Sequence, residues 1–169
     1  MLNYILSNTG ILGLILIFNL LLTTAIVLYK LYFFQSVWPK QKKVFLVEML
    51  EIYKNLNQKM SKTDIFKILE EKLDTKRNQI EKYLATLGTI SSVSPLLGLL
   101  GTVLGMIEST KGILTIDNDL LLKGISNALI TTAMGLVIAI PAIIFYNFFI
   151  DKIDKTIKEI KDKIISYLE

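Results

Sequence analysis

The sequence predicts an all-α integral membrane protein with three transmembrane helices and long helical extensions into water. Three observations predict it. Hydrophobic residues make up 52% of the 169, with a mean hydropathy of +0.52, more than a soluble domain of this size carries. They gather into three blocks free of charge, 10–29, 83–107 and 124–150. Nearly all of the charge lies between, in 40–84 and after 150. A bilayer imposes that unevenness, because a helix needs about 20 apolar residues to cross a hydrocarbon core of about 30 Å.

The first block places transmembrane helix 1 in 1–34. The N-terminus lacks a basic n-region, and no small-residue cleavage site follows, so the block is expected to be a retained span. It ends in Tyr29, Lys30, Tyr32, Phe33 and Phe34, with Trp38 and Pro39 just beyond. This is an aromatic belt with a snorkelling lysine at the water boundary.

Residues 35–82 are expected to form amphipathic helices. The segment 40–84 holds eleven of the nineteen basic residues against seven acids. Its apolar residues recur at helical spacing through Phe45, Met49, Ile52 or Tyr53, Leu56 and Met60, and a helical stripe continues through Ile65, Ile68 or Leu69, Lys72 or Leu73, and Ile80. Ser61-Lys62-Thr63-Asp64 reads as a cap between two helices, the second running straight into the membrane.

Helix 2 (83–107) is rich in Gly, Ser and Thr. A short loop, 108–121, leads to helix 3 (122–150), which carries Pro141, and a C-terminal helix covers 151–169. In that tail Ile150, Ile153, Ile157, Ile160 and Ile164 step by three and four. This heptad-like seam suits either the chain's own 40–84 helices or a neighbouring subunit. Lysine is abundant in 40–84 and in the tail and absent from residues 1–9, so the positive-inside rule puts the N-terminus outside and the C-terminus in the cytoplasm.

Composition narrows the chemistry. There is no Cys and no His, hence no disulfide, thiol nucleophile, imidazole base or expected metal site, and no cofactor. The net charge of +4 comes from lysines interleaved with acids rather than from a basic stripe, so nucleic acid is not an expected partner. An enzyme is not expected, since no intramembrane carboxylate, His or Cys could act as base or nucleophile.

What the two inner spans do carry is small and hydroxylated. Gly98, Gly101 and Gly105 on helix 2, and Gly124, Ala128 and Gly135 on helix 3, permit close backbone approach. Thr89, Ser91, Ser92, Ser94, Thr102, Thr131 and Thr132 fall inside the same spans. Each alone is accounted for by a bond to the preceding helical turn. Together they suggest a polar surface, which one chain of three helices cannot enclose. A ring of identical subunits, or a different partner helix, is implied. No ionisable residue lies within any of the three cores, so a titrating carboxylate would have to come from another chain. Glu108, at the outer end of helix 2, reads as a hydrated boundary carboxylate.

The run Ser94-Pro95-Leu96-Leu97-Gly98-Leu99-Leu100-Gly101-Thr102-Val103, then Gly105-Met106-Ile107, resembles the second-helix signature of the ExbB/TolQ/MotA proton-channel family. Residues 125–136, with Ala139-Ile140-Pro141-Ala142 and Tyr146-Asn147, are similar to its third-helix signature. The resemblance implies a homopentameric ring in the bacterial inner membrane, its pore lined by helices 2 and 3. The ring would enclose single-span partners of the ExbD type, whose aspartate takes up and releases the proton. It places the pore threonines at Thr102 and Thr132; Thr131, Ser94 and Asn127 are expected to line the pore and proton pathway with them, and Gly98, Gly101, Gly105, Gly135 and Pro141 to serve helix packing. Asn127 stands where ExbB-like members often carry glutamate, consistent with the partner alone carrying the proton. The compact length and the PLLGLLGTV wording point to the ExbB branch, which with a TonB-like protein energises outer-membrane import of iron complexes or vitamins. The alternatives are a TolQ-like role in envelope maintenance and a non-conducting scaffold.

Overall fold

The computed structural model describes residues 2–56 and 60–168, with side chains for 11–56, 60–114 and 116–166. Met1, residues 57–59 and Glu169, which belong to the expected first span, cytoplasmic segment and C-terminal helix, lie outside the described residues. The described chain is helical almost throughout: α1 (Leu2–Tyr32), a π-helical turn (Phe33–Val37), α2 (Trp38–Leu56), α3 (Lys62–Glu81), α4 (Leu84–Thr115) and α5 (Asn118–Leu168). Among the described residues, three helical stretches are long and apolar enough to cross a membrane: Ile11–Leu56, Leu84–Leu114 and Asn118–Ser166.

The chain divides into two compact units, one of Met1–Ile26 with Thr86–Tyr146, the other of Val27–Ala85 with Asn147–Glu169. In the first unit Leu16, Ile90 and Ile138 form the buried centre, with Leu22, Leu97 and Met134 packed against it. Helix 1, whose aliphatic composition suits lipid, therefore also contributes a packing face. Ile11, Leu14, Phe18 and Leu21 on its other side stay exposed. This is the expected state for residues whose solvent is hydrocarbon.

In the second unit the tail isoleucines find their partner within the chain. Ile153, Ile160 and Ile164 are buried, as are Phe45 and Met49 of α2 and Ile65, Leu69 and Leu73 of α3. Arg77 pairs with Asp154 at 2.7 Å and Lys161 with Glu70 at 2.7 Å, while Lys42 bonds Glu159. Phe34 stacks on Phe149 with ring centroids 5.8 Å apart. Of the two partners the seam suits, the chain's own helices take it up.

Several local features depart from the sequence reading. The helix does not stop at Trp38-Pro39. Pro39 lacks an N–H and crowds the carbonyl four residues back. The π turn just ahead of it relieves that conflict, with the Trp38 N–H donating to Phe33 O. Ser61 does begin α3 (φ −63°, ψ 146°), but its hydroxyl meets Thr63 Oγ1 at 2.9 Å instead of capping the backbone. The helix after it does not run straight on. It ends at Glu81, and Lys82 and Tyr83 form a turn in which Tyr83 has φ 73°.

Residues 108–115, read as loop, are helical, because charges that a bilayer would exclude are ordinary in a helix beyond it. The connection shrinks to Ile116 (φ 55°) and Asp117, whose carboxylate caps α5 by accepting from the Asp119 N–H at 3.0 Å and the Leu120 N–H at 3.1 Å. Both Pro95 and Pro141 sit inside unbroken helices.

Candidate functional site: a threonine pair on a glycine seam

Helices α4 and α5 run antiparallel along a seam of small residues. A methyl group built on Gly98 would lie 2.9 Å from Thr131 O, on Gly105 2.6 Å from Gly124 O, and on Gly135 2.5 Å from Ser94 O. Only glycine lets the backbones come so near. On Gly101 the same methyl would strike the Thr131 side chain, its Cγ2 at 2.9 Å. Three glycines thus accept backbone from the facing helix, and one accepts a threonine.

That closeness brings Thr102 and Thr132 together. Their hydroxyls are in hydrogen-bond contact across the seam, and both also face the carbonyl of Gly98, Thr132 at 3.2 Å and Thr102 at 3.3 Å. Three contacts join three oxygens, yet the two hydroxyls own only two protons between them. One contact is always without a proton, so the group has several arrangements of similar energy. Either hydroxyl can turn outward to donate to a carboxylate, or accept from a carboxylic acid, giving up one internal bond worth about 1 kcal/mol. Neither threonine titrates. The pair is suited to reading another group's protonation state, not to carrying the proton.

The other expected site residues lie elsewhere on the seam. Thr131, 3% exposed, donates back to Asn127 O and Ala128 O, both at 3.0 Å. Asn127 is 5% exposed and Ser94 fully buried, and Asn127 Oδ1 and Ser94 Oγ have no hydrogen-bond partner within the described chain. Thr102 and Thr132 are partly exposed, as is Pro141. The structure therefore joins Thr102 to Thr132 and sets Ser94, Asn127 and Thr131 in the interior beside them.

Ser109 and Gly112 were not singled out by the sequence, although they belong to the same seam. Buried Ser109 donates to Gly105 O (3.0 Å) and to Leu121 O (3.2 Å), bridging the helices. A methyl on Gly112 would meet Leu121 N at 2.5 Å. The signal was present: small residues recur at 91, 94, 98, 101, 105, 109 and 112, and the series continues past the charge at Glu108.

An all-helical chain with three potential spans, no ionisable residue in the span cores and a hydroxyl pair on a glycine seam has the character of a channel-forming membrane subunit. The family profile described as the MotA/TolQ/ExbB proton channel family matches residues 38–162, and the chain belongs to that family. Tol-Pal system protein TolQ of Pseudomonas aeruginosa is 42% identical over 80 residues, covering 46% of this chain and 35% of that protein. Biopolymer transport protein exbB1 of Vibrio cholerae is 47% identical over 75 residues, 42% of this chain and 33% of that one. Biopolymer transport protein ExbB of Aquifex aeolicus is 40% identical over 80 residues, 44% of this chain and 53% of its own. The matched segments span a third to a half of these relatives. The family is one of proton channels and not a known enzyme family.

Proposed function

We propose that the chain is an ExbB-like subunit of a proton-driven motor in the bacterial inner membrane, with its N-terminus periplasmic and its C-terminus cytoplasmic. Five copies form a ring around single-span ExbD-like partners, and α4 and α5 face the pore. A partner aspartate exchanges protons in the ring, and a TonB-like protein carries the force to outer-membrane import of iron complexes or vitamins. The observation that carries this reading is the Thr102–Thr132 hydroxyl pair, held over Gly98 O between the charge-free blocks 83–107 and 124–150.

The membrane potential supplies about 2.3 kcal/mol per charge per 100 mV. A carboxylate at the pair is held by donated hydrogen bonds, and its protonated form accepts fewer of them. Protonation thus weakens its hold on one threonine pair and frees it to move to the next. Ser94, Asn127 and Thr131 support the pair from the interior. A TolQ-like role in envelope maintenance is the second reading, favoured by the identity to Tol-Pal system protein TolQ.

Proton flux into proteoliposomes holding the chain with its single-span partner tests the proposal. Thr102→Val and Thr132→Val each remove a hydroxyl and keep the shape, and each is expected to lower flux about tenfold or more while the complex still assembles. Undiminished flux in both variants would overturn the site. Wild-type complex that adds no flux over empty vesicles would leave the chain a packing scaffold.

A further inference from the structure

Lys30 is a charged residue at the end of α1 with 2% of its surface exposed. It does not snorkel to water. Its ammonium donates to the carbonyl of Ile80, fifty residues away, and lies 5.8 Å from the Phe33 ring centroid. Ile80 is the penultimate residue of α3, where a helix leaves carbonyls without intrahelical donors and carries the negative end of its dipole. Lysine is well matched to that position. Next to it Glu81 accepts from Arg77 Nε at 2.7 Å, and Arg77 also reaches Asp154 of α5 at 2.7 Å.

The carbonyl that Lys30 holds lies at the start of an unusual turn. Lys82 (φ −46°, ψ 133°) and Tyr83 (φ 73°) have the dihedral pattern of the two central residues of a type II turn. Glycine is the ordinary occupant of the second position. Tyrosine there is strained, and such a residue persists only when its surroundings fix it. Those surroundings are visible: Tyr29 meets the Tyr83 ring edge to face at 6.2 Å, the Lys82 ammonium lies 5.1 Å from that ring, and Ile80 and Leu84 on either side are buried. Tyr29 and Lys30 are consecutive, so one turn of α1 grips both sides of the elbow.

We propose that Lys30 is a positioning residue: by capping α3 through Ile80 O it clasps the α3–α4 elbow and sets Leu84 as the first residue of α4. Without the clasp, Lys82 and Tyr83 relax toward helix, and α3 and α4 merge. The inference deepens the proposed function only in that α4 carries Gly98 and Thr102. The elbow itself stands on the contacts above.

Amide hydrogen exchange on the full chain, in complex with its single-span partner, tests the clasp without depending on conduction. Lys30→Met is expected to change exchange at residues 81–85 about tenfold. Adding Tyr83→Gly, which makes the positive φ easy, is expected to return those amides toward wild type. Unchanged exchange in Lys30→Met overturns the proposal. So does a change that Tyr83→Gly fails to reverse, which would mark Lys30 as general packing. If Lys30→Met does not accumulate, recovery by the double variant supports the clasp and failure to recover refutes it.

Discussion

The glycines of the α4–α5 seam differ in what a methyl group would strike, and that difference orders their tolerance of alanine. On Gly105 it meets backbone, Gly124 O at 2.6 Å, which no side-chain movement clears. On Gly101 it meets Thr131, a β-branched residue already committed to the carbonyls of Asn127 and Ala128. On Gly88 it meets only the edge of the Tyr146 ring at 3.2 Å. Gly105→Ala and Gly101→Ala are expected to destabilise by about 1–3 kcal/mol. Gly88→Ala should be close to neutral, since alanine gains about 1 kcal/mol of helix propensity over glycine. Thermal unfolding in one detergent measures this, and equal losses at all three positions would contradict a backbone-contact seam. The small residues were plain in the sequence, as was their spacing. Which hydroxyl turns outward was not, because the same spacing serves Thr131, which bonds back along its own helix, and Thr132, which reaches across.

At the scale of elements, the tail of α5 is held by side-chain burial more than by its ion pairs. Ile160 is fully buried and Ile157 only partly, so Ile160→Ala is expected to cost about 2–5 kcal/mol and Ile157→Ala clearly less. Chemical unfolding of the cytoplasmic helices measures both, and an equal cost would contradict the packing described. The ion pairs are exposed, and each contributes at most about 1 kcal/mol. One sets a pH dependence. The Lys42 ammonium bonded to Glu159 holds that carboxyl below its ordinary range. The folded state therefore binds this proton less readily than the unfolded chain, and the pair stabilises above the carboxylate range and is lost as pH falls through it. Acidification should lower the unfolding midpoint of wild type more than that of Lys42→Met, with the gap closing at high salt. A gap that stays constant with pH would remove Glu159 from the account.

The isoleucine seam was legible from its three-and-four spacing, but the pattern is the same for an intrachain and an intersubunit partner. The contacts with α2 and α3 decide it. The elbow at Lys82-Tyr83 was not legible, because neither glycine nor proline marks it and the uncharged block begins at the same tyrosine.

For the whole molecule, the three potential spans were readable because charge is excluded from each for twenty residues or more. The extent of α4 was not readable, because Glu108 and Lys111 mark where apolar sequence ends and not where helix ends. A large apolar surface is left uncovered by the chain itself, including Leu96, Leu99, Val103 and Ile107 of α4 and Leu129, Leu136 and Ile140 of α5. In the proposed ring, these faces meet neighbouring copies, lipid or the partner helix. The measurement that tests the central claim most directly is native mass spectrometry of the purified chain, alone and co-expressed with its single-span partner. The account predicts a ring of five copies that captures two partner chains. A monomer or dimer whose mass is unchanged by the partner would contradict it.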